Sequence, residues 1–342
     1  MCSGAGKWRF AYDQIALPKR QPAHPELRSA GQRPARYPGL DRQALGALGV
    51  DDELIAKRER LDGERALEFL AQLPAQVAHW QSRLDLEAGR VMPGGVLSAA
   101  LACRRRRDGA SVVLKLSAPN VAGARAEAAA LAAWNGVGAC ALQYATDDGS
   151  ALLLEAIVPG GPVRPGDDAR EDARRAGDLL ALLHRLPASG IPAAIPPAAH
   201  ELQWRFERAH RQLDGSSPGR GLISHDQLDH AHRAALRLDR QCGQRVMCHG
   251  DFLNKNILLD DEGEWRAIDP RPCIGDPCLD AAFWCLTHRP GEQVRERCEL
   301  VARSAGLDPD RLWSWVLAFA VSEAVLVTDL PRARAHHGLL GT

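Results

Sequence analysis

The chain has 342 residues, enough for one large domain or two ordinary ones with ample core. Its 43 basic and 43 acidic residues cancel, so no overall charge draws it to nucleic acid or an anionic membrane, and neither is expected as a partner. Nine cysteines without a Cys-x-x-Cys pair fit free thiols in a reducing cytosol better than a disulfide framework or a zinc site.

In chain order, residues 1–42 are rich in Pro, Arg, Gly and Ala without sustained periodicity, which predicts a disordered extension. They hold no long apolar run of the kind a secretory signal needs. Asp51 to about Leu84 reads as helices, with Leu67, Phe69, Leu70 and Leu73 as an apolar stripe. Strands are expected over Val96–Cys103 and Ser111–Leu116, around turns at Gly94-Gly95 and Arg107-Asp108-Gly109. An Ala-rich helix over Gly123–Trp134 follows, then strands near Ala141–Tyr144 and Ala151–Val158. Pro159-Gly160-Gly161-Pro162 is expected to break the chain. Beyond it, Asp167–Leu186, His200–Leu213 and His225–Arg240 read as helices. The most apolar long stretch, Leu312 to Thr328, carries Ser314, Ser322 and Glu323 and suits a buried helix better than a membrane span. A soluble, cytoplasmic protein is expected, with a ligand site where its β-rich and helical parts meet.

The densest chemistry lies in Cys248-His249-Gly250-Asp251-Phe252-Leu253-Asn254-Lys255-Asn256, followed by Ile268-Asp269-Pro270. Ile257-Leu258-Leu259 and Trp265-Arg266-Ala267-Ile268 read as a hairpin turning at Asp260-Asp261-Glu262-Gly263. Its midpoint falls between Glu262 and Gly263, which predicts Asn256 opposite Asp269 at the open end. Two oxygen ligands with the free carboxylate of Asp251 beside them suit a magnesium site for phosphoryl transfer, because magnesium prefers oxygen donors and keeps positions for water and phosphate. Asp251 is then the candidate base, aligning a hydroxyl and accepting its proton. His249 is expected to be a packed hydrogen-bonder.

His-Gly-Asp-x-x-x-x-Asn with Ile-Asp-Pro resembles the aminoglycoside phosphotransferases, relatives of the protein kinases. The wider wording is closer to their streptomycin 6-kinase and hydroxyurea kinase branch. Supporting segments are Gly94-Gly95-Val96-Leu97-Ser98, Val113-Leu114-Lys115-Leu116, Glu127-Ala128-Ala129-Ala130-Leu131 and Gly275-Asp276-Pro277, so the likeness runs over roughly residues 45–330. The resemblance implies an α+β, protein-kinase-like, two-lobed fold. A small antiparallel-sheet N-lobe with one helix, over 43–158, would bind nucleotide. A larger, mostly helical C-lobe, over 159–342, would hold the catalytic loop, metal and acceptor. It also implies ATP and magnesium as cofactors and an aminoglycoside such as streptomycin, or hydroxyurea, as acceptor, with antibiotic resistance as the result.

Lys115 sits in an otherwise apolar strand, where a lysine would snorkel, lie at an edge or grip the α- and β-phosphates of the nucleotide. Glu127 shares a helical stripe with Ala130, Leu131 and Trp134; an inward carboxylate wants a cation, and by resemblance that cation is Lys115. Gly94, Gly95 and Ser98 would let main-chain amides and a hydroxyl approach phosphate. Adenine is expected against main-chain groups near Glu155 to Ile157. Asp276 followed by Pro277 reads as a helix cap, and Asp280 could tie the catalytic loop from that helix. One departure is Leu253, which stands where protein kinases carry a phosphate-contacting lysine; Lys255 or Arg271 could replace its charge.

Two other functions fit the same residues. A metal-dependent phosphohydrolase would use His249, Asp251, Asn256 and Asp269 as ligands. A silent nucleotide-binding protein would keep the fold without turnover. A polycationic acceptor would call for an acidic pocket, for which Glu201, Glu207, Glu323 and Asp329 are available, whereas hydroxyurea needs none.

Overall fold

The computed structural model describes residues 39–92, 98–118, 121, 123–215 and 217–341. Gly94, Gly95 and nearly all of the expected N-terminal extension lie outside the described residues. The elements in order are α1 (Arg42–Ala47), α2 (Asp52–Arg83), β1 (Leu86–Val91), β2 (Ser98–Arg105), β3 (Ser111–Ser117), α3 (Ala124–Trp134), β4 (Leu142–Ala145) and β5 (Ala151–Glu155). After these come β6 (Pro159–Pro162), α4 (Ala169–Leu183), α5 (Ala198–Asp214), α6 (His225–Arg240), β7 (Val246–Cys248), β8 (Ile257–Asp260), β9 (Trp265–Ala267) and β10 (Cys273–Gly275). The chain ends with α7 (Cys278–Thr287), α8 (Val294–Ala305), α9 (Pro309–Leu326) and α10 (Leu330–Gly338).

The described chain forms two compact units, the first ending at Val121 and including Ser150–Leu154, the second formed by Ala122–Gly149 and Glu155 onward. In the first, β1, β2, β3 and β5 lie side by side in that order. β2 and β3 pair antiparallel with Ala100 opposite Lys115. Strand alternation buries Val112, Leu114 and Leu116, and Lys115 is itself only 9% exposed. On α2, Ala66, Phe69, Leu70, Leu73 and Val77 repeat at helical spacing and are buried. Leu67, expected in that stripe, is half-buried. The helix is broken at Asp62 and Gly63, where φ turns to −145° and 57°, and Asp51 caps its start by accepting from Leu54 N–H at 2.8 Å.

The second unit is mainly helical. Its core centres on α7 and α9, where Phe283 and Phe319 stack 4.3 Å apart and Trp284 and Trp315 are fully enclosed. Two small sheets carry the catalytic block: β10 pairs with β7, and β8 lies between β6 and β9. Pro159–Pro162, expected as a plain break, is thus a strand. It occupies an edge, where prolines without an N–H remove no ladder bond. The hairpin register also differs from expectation. Ile257 pairs with Ala267 and Leu259 with Trp265, and Ile268 N–H bonds Asn256 C=O at 2.8 Å, so Asn256 faces Ile268 rather than Asp269.

Candidate active site

β7 delivers His249, and α7 fixes the loop beyond it. Asp280 on α7 is completely buried. Its Oδ2 accepts from His249 N–H at 2.7 Å and its Oδ1 from Gly250 N–H at 2.8 Å. His184, at the end of α4, meets Oδ2 at 2.9 Å. Burial alone would raise the Asp280 carboxyl, but the hydrogen bond and charge of His184, then His249 and the Gly250 N–H, outweigh it and leave the group below the usual carboxylate range. Asp280 therefore ties the loop, as its place in the sequence suggested. Gly250 has φ +77°, and a Cβ there would lie 1.9 Å from the carbonyl oxygen of Arg271, so no other residue fits without moving the loop.

His249 is a packed hydrogen-bonder, as expected. Its Nε2 donates to Ile268 C=O at 3.0 Å and its Nδ1 accepts from Asp251 N–H at 3.3 Å. Burial holds the ring's pKa below the ordinary histidine value. Trp134 stacks on it, centroids 6.1 Å apart, and donates its Nε1 to Leu183 C=O at 2.9 Å. With both nitrogens occupied, His249 is not free to ligate a metal, which removes a ligand the phosphohydrolase needs.

These restraints present Asp251, whose side chain is 16% exposed. Its Oδ2 accepts from Asn256 Nδ2 at 2.7 Å and meets Lys255 Nζ at 3.0 Å. Among the described residues nothing engages its Oδ1. Of the two cations that could stand in for the missing lysine, Lys255 is thus at Asp251. Arg271 instead bonds Glu201 at 3.1 Å and lies over the Trp204 ring at 3.7 Å.

Asn256 is 4% exposed. Its Nδ2 also donates to Asp251 C=O at 2.9 Å, so its hydrogens are directed at Asp251 and its Oδ1 makes no hydrogen bond among the described residues. Asp269 is exposed and has φ 54°, so the backbone leaves the strand at this residue. An amide oxygen and a carboxylate are hard oxygen donors, and they fit magnesium. One histidine, cysteine and aspartate cluster also has converging ligand atoms, His184, Cys248 and Asp280. The Asp280 oxygens there already receive the loop N–H groups and His184.

The remaining expected site residues divide between the units. Ser98 opens β2 and Lys115 lies on β3. In the second unit Glu127 faces inward on α3 and is 6% exposed. Glu155 bonds Arg266 at 3.1 Å and Ala141 N–H at 2.9 Å through Oε2. Ile157 is half-buried just beyond it. Asp276 caps α7 as expected, accepting from Cys278 N–H at 2.9 Å, and Trp315 Nε1 donates to it at 2.7 Å.

Sequence reasoning missed the second tether of the loop. Asn254 Nδ2 meets His288 Nδ1 at 3.0 Å, and His288 Nε2 meets Asp172 Oδ2 at 3.0 Å. Burial first, then nearby Arg297, lowers the His288 pKa to about 4 against the pull of Asp172. Neither His184 nor His288 carries a local motif, and their partners lie far away in sequence.

Residues 86–330 match the family described as aminoglycoside/hydroxyurea antibiotic resistance kinase. The chain belongs to that family. It is therefore a kinase, a phosphotransferase acting on a hydroxyl group of a small molecule, and the resemblance carried by the motifs is borne out. The kinase is 29% identical to a streptomycin 6-kinase of Streptomyces griseus, over 79% of this chain and 88% of the relative. It is 28% identical to a hydroxyurea phosphotransferase of Kitasatospora aureofaciens, over 83% and 82%. Its fold is protein-kinase-like, shared with the Plasmodium vivax ethanolamine kinase (TM-score 0.55, 14% identity, 89% of this chain and 97% of that one). It is also shared with the GDP complex of an aminoglycoside 2'-phosphotransferase-IIIa mutant (TM-score 0.51, 15% identity, 78% and 94%). No helix among the described residues of this kinase is long and apolar enough to cross a membrane.

Proposed function

We propose that this kinase transfers the γ-phosphoryl group of ATP to a hydroxyl of streptomycin or hydroxyurea, the acceptors named for its relatives, and so inactivates an antibiotic. One observation carries the assignment of Asp251. Its Oδ2 is held by Asn256 and Lys255, while Oδ1 is left to an incoming hydroxyl. The acceptor oxygen bonds to the γ-phosphorus, the bond from that phosphorus to the β,γ-bridging oxygen breaks, ADP leaves, and Asp251 takes the hydroxyl proton. Magnesium, which Asn256 and Asp269 would hold, supplies charge neutralisation on the nucleotide phosphates.

Lys115, with Ser98, Gly94 and Gly95, is proposed to hold those phosphates, Glu127 to support that site, and main-chain groups at Glu155 and Ile157 to receive adenine. The division into a nucleotide-binding part over 43–158 and a catalytic part over 159–342 belongs to the same proposal, as does a cytoplasmic location. Asp251→Asn tests the assignment. It should reduce turnover by roughly a thousand-fold or more, while ATP still raises the melting temperature as in the parent. Turnover within a few-fold of the parent would sink it.

A further inference from the structure

Helix α5 places Glu201, Trp204, Arg205 and Arg208 on one stripe at helical spacing. The stripe adjoins the catalytic loop. Arg271, whose N–H bonds His249 C=O at 2.8 Å, reaches across to stack on Trp204 and bond Glu201. The charge of Asp251 acts on both Glu201 and Arg208. Glu323 of α9 completes this wall by pairing with Arg205, whose guanidinium lies 3.8 Å over Phe283.

Each of the four acidic candidates for a cationic acceptor already has a partner among the described residues, the two least exposed an arginine apiece. Glu201 is held by Arg271 and Glu323 by Arg205. Glu207 bonds Gln203 at 2.5 Å, with Arg211 3.9 Å away. Asp329 caps α10 through Arg332 N–H at 2.9 Å and pairs with the Arg332 side chain at 3.4 Å. Burial lowers the pKa of His336 against the pull of neighbouring Glu323. The donors, by contrast, are in surplus. Arg205 Nε is buried without an acceptor. Arg208 makes no hydrogen bond or ion pair among the described residues, and its guanidinium lies 5.5 Å over Trp204. Three arginines face two glutamates in the wall. A polycation would have to displace Arg271 from Glu201 or Arg205 from Glu323, and it would meet the like charge of Arg208, which is exposed beside them.

We infer that this wall selects an acceptor presenting carbonyl or carboxylate oxygens beside its hydroxyl, and that Arg208 is the specificity-determining residue that meets them. The inference rests on the kinase activity proposed above and decides between its two acceptor classes. It places the substrate among small neutral or anionic hydroxyl compounds, N-hydroxyureas or hydroxy acids, and away from polycationic aminoglycosides.

The test is an ADP-release assay on the full chain with saturating ATP and magnesium. Its acceptors are hydroxyurea, short hydroxy carboxylates, streptomycin and other aminoglycosides. The expected kcat/KM for one of the first two groups exceeds that for streptomycin by at least ~100-fold, because streptomycin brings like charge against Arg208. The two oxygen-bearing groups separate by which is turned over. Arg208→Gln should raise KM for the preferred acceptor about 10-fold with the KM for ATP unchanged. Arg208→Glu should move the preference toward cationic acceptors. Streptomycin as the best acceptor of the parent, or an acceptor KM unmoved by Arg208→Gln, overturns the inference and leaves the kinase intact. Absence of ADP release with every acceptor overturns both.

Discussion

Asn256 donates its side-chain amide to Asp251 twice over, to the main-chain carbonyl at 2.9 Å and to Oδ2 at 2.7 Å. The proposed metal ligand and the proposed base are therefore one hydrogen-bonded unit. The amide nitrogen sets the rotamer of the carboxylate, and the amide oxygen points elsewhere as a consequence.

Asn256→Asp separates the two roles. It keeps an oxygen donor but replaces the N–H donor by a second carboxylate beside Asp251, so one of the pair is driven to hold a proton. Turnover should fall by about a hundred-fold or more. The residual rate should follow a carboxyl group titrating above the ordinary range. An unchanged pH–rate profile would contradict the arrangement.

Asp280→Asn tests the tether. The substitution keeps the size but leaves one of the His249 and Gly250 N–H groups facing an amide donor, and it deprives His184 of its charge partner. Losing a buried, charge-assisted set of this kind should cost about 3 kcal/mol, read as a lower urea midpoint with an unchanged slope. Turnover should fall even well below that midpoint, because the loop loses its position. A variant as stable as the parent would show that the bonds are not made in solution.

The pH dependence has a definite sign. The His288 pKa is lowered to about 4 in the folded chain, against about 6.5 for an unfolded histidine. Between those values the unfolded state binds more protons, so stability is complete above about pH 6.5 and declines as pH falls toward 4. The group contributes up to ~1.4 kcal/mol per unit of that interval. His288→Gln should flatten this limb in urea titrations at pH 7 and pH 5. If the two proteins keep the same slope, His288 does not carry the effect.

Local spacing made Asp251, Asn256 and the tie from Asp280 legible, because all three lie on elements whose ends can be read from turn and cap residues. The hairpin register was off by one for a reason absent from strand patterns. Asp260 Oδ1 accepts from both Glu262 N–H at 3.1 Å and Glu264 N–H at 2.7 Å, which centres the turn on Glu262. Pro159–Pro162 reads as a break because proline removes donors, yet an edge position needs none on its open side. His184, His288 and Asp172 were illegible, since each acts through a partner between 34 and 116 residues away. The acidic candidates were visible as letters, but the arginines that engage them became visible only once α5 met Arg271 and Glu323.

The carboxylate that anchors the catalytic loop belongs to a helix with nearly every side chain enclosed. The amide protons of His249 and Gly250 can therefore reach water only when the helical core itself opens. Their exchange should be among the slowest in the molecule, at the full free energy of unfolding of that unit. Heat or denaturant would then extinguish turnover together with the fold rather than ahead of it.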